Sequence, residues 1–397
     1  MEYRFSDRIA TLKPSVIREI LKADPDPEAV SFAAGNPSPE TFPTAEMAAL
    51  AEKIFADEAG AAFQYGITEG YPALRKVTAE RISRKYNVGK EFDDVIIVSG
   101  GQQGIELAAK VLANEGETVI CEEPSFIGAL NSFRAQNLKL AGVPCDGDGM
   151  RIDLLEEQLK AHPEARLIYT IPTFQNPGGS TLSLERRRQM LDLAERYDVM
   201  IIEDSPYFEL RFEGEYVPTI KSMDTTGRVI FCGSYSKVIA PGIRIGYVCG
   251  PQAVLAKMTV AKQVSDVHTN LFFQMLVSRL VSDGGFDKHI ADCCALYRHR
   301  RDLMLSLLSE KIDPGKATWT TPQGGLFVWV QLPEGYDGME LCRIVKEKKL
   351  ACVPGNAFCV DENAVSSGIR LNYSLPTDAQ IEKGCGILAA AINEFVK

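Results

Sequence analysis

Only four histidines occur in 397 residues, His162, His268, His289 and His299, and none stands in a metal-ligand spacing. His289 and Cys293 share an i, i+4 face, which a polar helix face explains without a metal. The ten cysteines are irregularly spaced, and the adjacent Cys293 and Cys294 have no CxxC partner, so the sequence argues against zinc and no metal is expected. Cys121, Cys232 and Cys249 fall inside apolar runs, where a thiol behaves as a small hydrophobe. A reducing, cytoplasmic setting is therefore expected rather than a disulfide framework. No apolar run reaches the roughly 20 residues that a bilayer requires. The first eight residues carry acids and lack the apolar segment of a secretory signal. No membrane partner is expected. There is no basic stripe: the formal net charge is −10 with the acids scattered, which excludes nucleic acid as an expected partner. Internal repeats and low-complexity linkers are also missing.

What is present is a chain of ordinary globular composition, 45% apolar and 24% charged, long enough for two domains around substantial cores. Its most informative stretch is 231–248. An apolar run ends in small residues, followed by two hydroxyls, Ser234 and Ser236, a lone Lys237, a Pro241-Gly242 turn, and Arg244 opening a second apolar run. Lys237 has no carboxylate within six residues, which is unusual for a lysine that only solvates a surface. Hydroxyls and a guanidinium suit a phosphate dianion, and a lysine beside a phosphate seat points to a Schiff base with pyridoxal phosphate. By itself a Ser-x-Ser-Lys run is a weak signal that ordinary loop cations also satisfy, so the order of the other elements has to decide.

In chain order, residues 15–23 read as a short helix with Pro14 at its start and Pro25 beyond. An apolar piece from Val30 then runs into a Gly-Pro loop at Gly35, where backbone can approach a ligand, although a plain turn is the default. From Asp94 short apolar, β-branched runs alternate with amphipathic helices, as in a doubly wound parallel sheet. Seven strands are expected, at 95–98, 118–121, 139–143, 167–171, 199–202, 229–231 and 243–248. The rhythm stops at Asp283-Gly284-Gly285. A long helix from Phe286 towards Glu310 follows, then a smaller mixed region with strands around 325–332 and 369–373, a helix near 338–348 and a final helix to Phe395. The expected division is an N-terminal segment, 1–44, joining the small domain; a large cofactor-binding domain, 45–285; and a linking helix with the small α+β domain, 286–397.

Ligands of open α/β sheets sit beyond the carboxyl ends of the strands, so the residues just after each run matter most. After Val98 stands Ser99-Gly100-Gly101-Gln102-Gln103-Gly104, glycines opening a helix whose N–H groups can seat an anion. With Glu122 about twenty residues on, this imitates a dinucleotide fingerprint, but the spacing is Gly-Gly-x-x-Gly rather than Gly-x-Gly-x-x-Gly, which favours a monophosphate. After Ile202 stand Glu203 and Asp204. A carboxylate ending an apolar strand needs a cationic or donor partner, and a protonated pyridine nitrogen would supply one. Asp204 is assigned this part; Glu203 is the alternative, and it can point to the opposite face. Tyr207 and Asn176 can reach the cofactor's phenolic oxygen, although each is also ordinary turn chemistry.

Together the motifs Gln64-Tyr65-Gly66, Gly100-Gly101-Gln102-Gln103, Asn176-Pro177-Gly178-Gly179, Asp204-Ser205-Pro206-Tyr207, Ser234-Tyr235-Ser236-Lys237 with Arg244, Pro322 with Gly324-Gly325, and Arg370 make the chain resemble, over essentially its whole length, the fold type I pyridoxal-phosphate aminotransferases of classes I and II. Within that group it is most similar to the broad-specificity branch of 2-aminoadipate, kynurenine and aromatic or branched-chain aminotransferases, through Ile17-Arg18-Glu19-Ile20-Leu21-Lys22, Glu123-Pro124-Ser125-Phe126 and Val353-Pro354-Gly355. The resemblance implies an α/β fold, with a large domain on a seven-stranded, mostly parallel sheet and a smaller α+β domain. It also implies a homodimer with shared active sites.

By the same resemblance Lys237 is the Schiff-base lysine and proton shuttle, Asp204 pairs with the pyridinium, and Asn176 and Tyr207 hold the phenolic oxygen. Gly101, Gln102, Ser234, Ser236 and Arg244 hold the phosphate, Tyr65 reaches the phosphate of the neighbouring subunit, and Arg370 and Asn176 clamp the substrate carboxylate beside Gly35. Two positions depart from the family pattern. Phe126 stands where a tyrosine often stacks on the ring, and Gly101 precedes Gln102 where a serine is frequent, so backbone N–H replaces a hydroxyl. The function implied is amino-group transfer between an L-amino acid and a 2-oxo acid, 2-oxoglutarate being the expected acceptor. A β-eliminating lyase and a ligand-sensing, non-catalytic relative are the alternatives. The latter normally carries an N-terminal DNA reader, whereas here the pattern begins almost at once. If Arg370 takes the α-carboxylate, an acidic side chain needs a second cation, and Arg18 on the first helix is the candidate.

Overall fold

The computed structural model describes residues 3–10, 12, 14 and 28–397; the expected helix 15–23, with Arg18, lies outside the described residues. An eight-stranded sheet organises the chain, in spatial order Asp93–Val98, Gly246–Pro251, Val229–Ser234, Met200–Ser205, Ala165–Thr170, Thr118–Glu123, Lys139–Asp146 and Gly149–Met150. All seven expected strands are there. The eighth, Gly149–Met150, is a two-residue return pairing antiparallel with Cys145 and Asp146, too short to leave a periodic signature. The inner pairs from Lys139–Asp146 to Val229–Ser234 are parallel, whereas Gly246–Pro251 runs antiparallel to both neighbours. That last strand begins at Gly246 and not at Ile243, a correction with a local cause. Pro241–Ile243 forms a short 3-10 helix, and Arg244 takes a left-handed φ of 54°, so the chain turns before it can pair.

The strands are buried on both faces, and alternate residues feed two cores, as the two-residue strand period requires. Val119, Cys121, Leu167, Tyr169, Ile202 and Ile230 belong to one core, which the helix Gly101–Leu112 covers with Ile105, Leu107 and Ala108. Ile120, Ile168, Ile201 and Val229 face the other, under the helices Ile152–Ala161 and Leu184–Arg196. Consequently Glu203 and Asp204 leave one strand in opposite directions.

Beyond the helix Leu271–Ser282, the 26-residue helix Phe286–Lys311 leads to a four-stranded antiparallel sheet ordered Thr318–Trp319, Phe327–Gln331, Gly368–Asn372, Val353–Pro354. The helices Gly338–Glu347 and Asp378–Phe395 accompany it. The N-terminal chain joins this region: Val30–Ser31 pairs in parallel with Leu350–Ala351, and Asn372 N donates to Phe32 O at 2.8 Å. The long helix fastens the pieces between. Its His289 Nε2 lies 2.6 Å from Val238 O, its Tyr297 hydroxyl accepts from Ser38 N at 3.1 Å, and its Arg300 donates to Ser374 O at 2.8 Å. Among the described residues no helix is long and apolar enough to cross a membrane, and no cluster of His, Cys, Asp or Glu could hold a metal.

Candidate active site

The strand Val229–Ser234 is buried along its whole length and delivers the 3-10 turn Tyr235–Lys237 at its carboxyl end. Ser234 Oγ caps that turn by accepting from Ser236 N at 3.2 Å, and the Tyr235 hydroxyl is pinned 2.8 Å from Thr78 Oγ1. Lys237 is thereby aimed out of the sheet, partly buried, with Nζ donating to Gly35 O at 2.7 Å. Burial, then the charges of Arg370 and Arg244, hold its pKa down to about 8; Asp204 pulls the other way. A partly neutral amine inside a cationic surround is a nucleophile and a base at ordinary pH.

Asp204 and Glu203 are both buried but differently supplied. Glu203 accepts from Ile220 N at 3.0 Å and Lys221 N at 2.7 Å, the start of the short helix Ile220–Met223, with the Arg187 charge nearby. Asp204 accepts one hydrogen bond, from the Tyr169 hydroxyl at 2.8 Å, and no cation bonds it among the described residues. Burial pushes its pKa up to about 7, opposed by the Tyr169 bond and by Lys237. Asp204 therefore faces the lysine with an unmet demand for a positive partner, and Glu203 does not.

The seat beside Ser234 and Ser236 is made by Gly100, Gly101 and Arg244. Gly100 has φ +84°, and a Cβ there would lie 2.1 Å from Arg244 Nη2, so only glycine lets the guanidinium lie across this loop. Arg244 donates to Ser99 O at 3.0 Å and lies 3.4 Å from Ser236 Oγ. Gln102 lies in the first turn of the helix beside this seat. Its side chain turns away to Gly128 O at 2.7 Å and Ser132 Oγ at 2.6 Å, so what it offers is the backbone N–H in the first turn of Gly101–Leu112.

Arg370 is 2% exposed and lies between Phe327 and Phe358, whose ring centroids are 4.3 and 5.0 Å from its guanidinium carbon. Nη1 donates to Asn176 Oδ1 at 2.9 Å and Nη2 to Ala33 O at 2.7 Å, while the buried Nε has no partner. Burial lowers its pKa to about 10. Asn176 also points its amide nitrogen at the Tyr207 hydroxyl, 3.5 Å away, and burial raises the pKa of that hydroxyl. Phe126 precedes the helix Ile127–Arg134 on the adjoining loop, half-buried against the core. Tyr65 is not gathered with these residues: it is 80% exposed, its ring edge-on to His268 at 5.7 Å. Tyr169, Phe358 and the Ala33 carbonyl were not anticipated. Of these only Tyr169 left a trace, a polar-tipped aromatic following Leu167 and Ile168 near the end of its strand.

Comparison with known proteins agrees with this arrangement. The model of a family described as "Aminotransferase class I and II" matches residues 27–388. Aromatic-amino-acid aminotransferase 1 of Thermococcus litoralis is 39% identical over 400 residues, covering 100% of this chain and 95% of the relative. The 2-aminoadipate transaminase of Thermus thermophilus is 35% identical, over 98% of this chain and 96% of its own. Among solved structures, the kynurenine aminotransferase of Pyrococcus horikoshii, in complex with PMP, KYN as substrates and KYA as products, superposes with a TM-score of 0.95 at 37% identity, covering 99% of this chain and 98% of that one. Since the family match runs through every element that positions Lys237, Asp204, Asn176 and Arg370, the chain belongs to the class I and II aminotransferases.

Proposed function

We propose that this aminotransferase accepts a broad set of L-amino acids, aromatic, branched-chain or 2-aminoadipate-like, and passes their amino group to 2-oxoglutarate, with Lys237, Asp204 and Tyr207 at the reacting centre. The names of the relatives support the donor range. The observation that carries the residue assignment is Lys237 itself, an amine shielded from hydrogen-bonded carboxylates and electrostatically coupled to Arg370, Arg244 and Asp204 at once.

The cofactor of this enzyme is pyridoxal 5'-phosphate, and the residues fit it. Gly100 lets the Arg244 guanidinium lie across the seat, and among the described residues no cation hydrogen-bonds the buried Asp204 carboxyl and no acceptor meets the buried Nε of Arg370. When bound, the cofactor supplies a carbonyl carbon for an amine and a ring that takes up the electron pair left by the α-proton. Ser234, Ser236, Arg244 and the N–H groups of Gly101 and Gln102 would hold its phosphate, with Tyr65 of a second copy contributing. Asp204 would keep its ring nitrogen protonated, Asn176 and Tyr207 would bind the phenolic oxygen, and Phe126 would cover the ring.

Arg370 uses two of its five N–H donors within the protein and offers the rest to the α-carboxylate, steadied by Asn176 and with Gly35 alongside. Lys237 Nζ would take the α-proton and give it up to the carbon that the cofactor contributes, a transfer that suits a pKa close to the working pH. The flanking Phe327 and Phe358 rings exclude water from the guanidinium and so strengthen its pairing.

A homodimer is part of the proposal: Phe63 and Tyr65 are 75% and 80% exposed, and a second copy would cover them while bringing Tyr65 to its phosphate. A reducing compartment is supported by ten free cysteines. The test is a donor panel against 2-oxoglutarate with pyruvate and ammonia followed in parallel. Oxo acid and glutamate in equal amounts are expected, whereas ammonia released with pyruvate would make the enzyme a β-eliminating lyase. Repeating the panel with Arg18→Ala tests the side-chain cation: KM should rise for acidic donors and stay level for leucine.

A further inference from the structure

Glu122 lies on the strand Thr118–Glu123, 1% exposed, and the reaction outlined above makes no use of it. Three donors converge on its carboxyl. The Thr170 hydroxyl reaches Oε1 at 2.6 Å, and Ile171 N and Gln175 Nε2 reach Oε2 at 3.2 and 3.1 Å. No cation bonds it among the described residues, and burial pushes its pKa up to about 7. A carboxyl held this way costs stability that an apolar residue would not. The partners show what is gained. Gln175, 2% exposed, is fixed at every polar atom: Nε2 also donates to Pro124 O at 2.8 Å, Oε1 accepts from Gly178 N at 2.6 Å, N donates to Ser180 O at 2.8 Å, and O accepts from Gly179 N at 2.6 Å. The next residue is Asn176, among the described residues the only side chain hydrogen-bonded to Arg370.

We propose that Glu122, acting through Gln175, is a positioning residue for substrate binding: it sets the loop that carries Asn176 and thereby aims the carboxylate-binding face of Arg370. The inference rests on the reading of Arg370 as the α-carboxylate clamp. Groups that bind substrate must be held to a fraction of an ångström by a supporting layer, and the Glu122–Gln175 pair is that layer here. Its effect on substrate is read in KM through the 2.9 Å bond from Arg370 to Asn176, and its effect on the phenolic-oxygen contact of Asn176 in the absorption of the bound cofactor.

The experiment is steady-state kinetics of the holoenzyme with one aromatic and one acidic donor against 2-oxoglutarate, with melting temperature and the visible absorption of the bound cofactor recorded for each variant. Glu122→Met removes both acceptors that face the Thr170 hydroxyl, Ile171 N and Gln175 Nε2. It should raise KM about tenfold, the equivalent of about 1.4 kcal/mol, with kcat changed less than about threefold. The KM factor should be the same for both donors and for 2-oxoglutarate, all of which carry the α-carboxylate. Glu122→Gln, whose Oε1 can take the contacts of Oε2 while its NH2 donates to the Thr170 hydroxyl oxygen, should recover most of the KM. Thr170→Val, which removes one donor and should fold even if the others do not, should raise KM about threefold. Unchanged KM in Glu122→Met and Thr170→Val, or losses that follow melting temperature without recovery in Glu122→Gln, would make Glu122 a packing residue and overturn the inference. Arg370→Lys separates the two levels: if it leaves KM unchanged the clamp reading fails, and if it raises KM while Glu122→Met does not, only the present inference fails.

Discussion

Two buried lysines of the large domain show how one side chain serves two ends. Lys221, its side chain 0% exposed, sits between Asp93 Oδ1 at 2.8 Å and Asp224 Oδ2 at 2.9 Å, with the Phe92 ring 5.3 Å away. Among the described residues Lys237 has one hydrogen-bond partner for its amine, the Gly35 carbonyl, and the charges acting on it include two arginines. Held between two carboxylates, the first acts as a structural cross-link. Deprived of them and crowded by guanidinium groups, the second gives up its proton readily. Reactivity in this fold is thus made by withholding counterions, and both lysines can be tested for it.

The largest effect should come from removing each lysine. Lys237→Ala should lower transamination by at least about a thousandfold, since both the nucleophile and the proton carrier go, while leaving the melting temperature close to that of the parent. Lys221→Met should do the reverse. It strands Asp93 and Asp224 and should cost about 3–5 kcal/mol in denaturant titrations, with kcat per folded molecule retained. Loss of activity without loss of stability at Lys221 would erase the contrast.

Next in size is the adjacent carboxylate pair. Asp204→Asn removes the charge assigned to the ring nitrogen, and the half-reaction with an amino acid should slow about a hundredfold or more while cofactor affinity changes far less. Glu203→Gln touches only the N–H groups of Ile220 and Lys221 and should appear as about 1–3 kcal/mol of stability. The opposite outcome would mean that the strand's faces have been assigned the wrong way round.

A third effect, on KM, is expected from Arg370→Lys, which keeps the charge but loses the fork held by Asn176 and Ala33. KM should rise about 10- to 100-fold for every donor alike.

The smallest effect is a titration. With the cofactor stripped, labelling of Lys237 by an amine reagent should increase with pH as the proton leaves, levelling above a midpoint near 8 rather than near the ordinary 10.5. Asp204→Asn should move that midpoint down, because the carboxylate favours the charged lysine, and Arg244→Gln should move it up. Followed by peptide mapping, shifts in the reverse directions would refute the electrostatic account.

Much of this was legible in the chain because strands buried on both faces read as continuous β-branched runs, and because Lys237 stands so far from any acid in sequence. What escaped depended on contacts between distant residues. Tyr169 meets Asp204 across 35 positions, and Ala33 meets Arg370 across 337. Neither leaves a local pattern. Which group Gln102 presents was illegible for a different reason: a residue in a phosphate-loop motif contributes backbone or side chain, and only the geometry of Gly128 and Ser132 tells which. The start of the Gly246 strand was misjudged because Ile243 and Ile245 are both buried and apolar while the chain between them turns left-handed at Arg244.

The pairing of Val30–Ser31 with Leu350–Ala351 imposes an order of events on the polypeptide as it is made. The large sheet closes within residues 93–251, but the segment that carries Ala33 and Gly35 has to wait for a strand synthesised more than three hundred residues later. During synthesis at about 5–20 residues per second, that interval is on the order of tens of seconds. Throughout it Val30 and Phe32 lack the backbone partners at Lys349 and Ala351 to which they donate in the finished fold. The pairing that fixes the segment of Ala33 and Gly35 is therefore among the last that the order of the sequence permits.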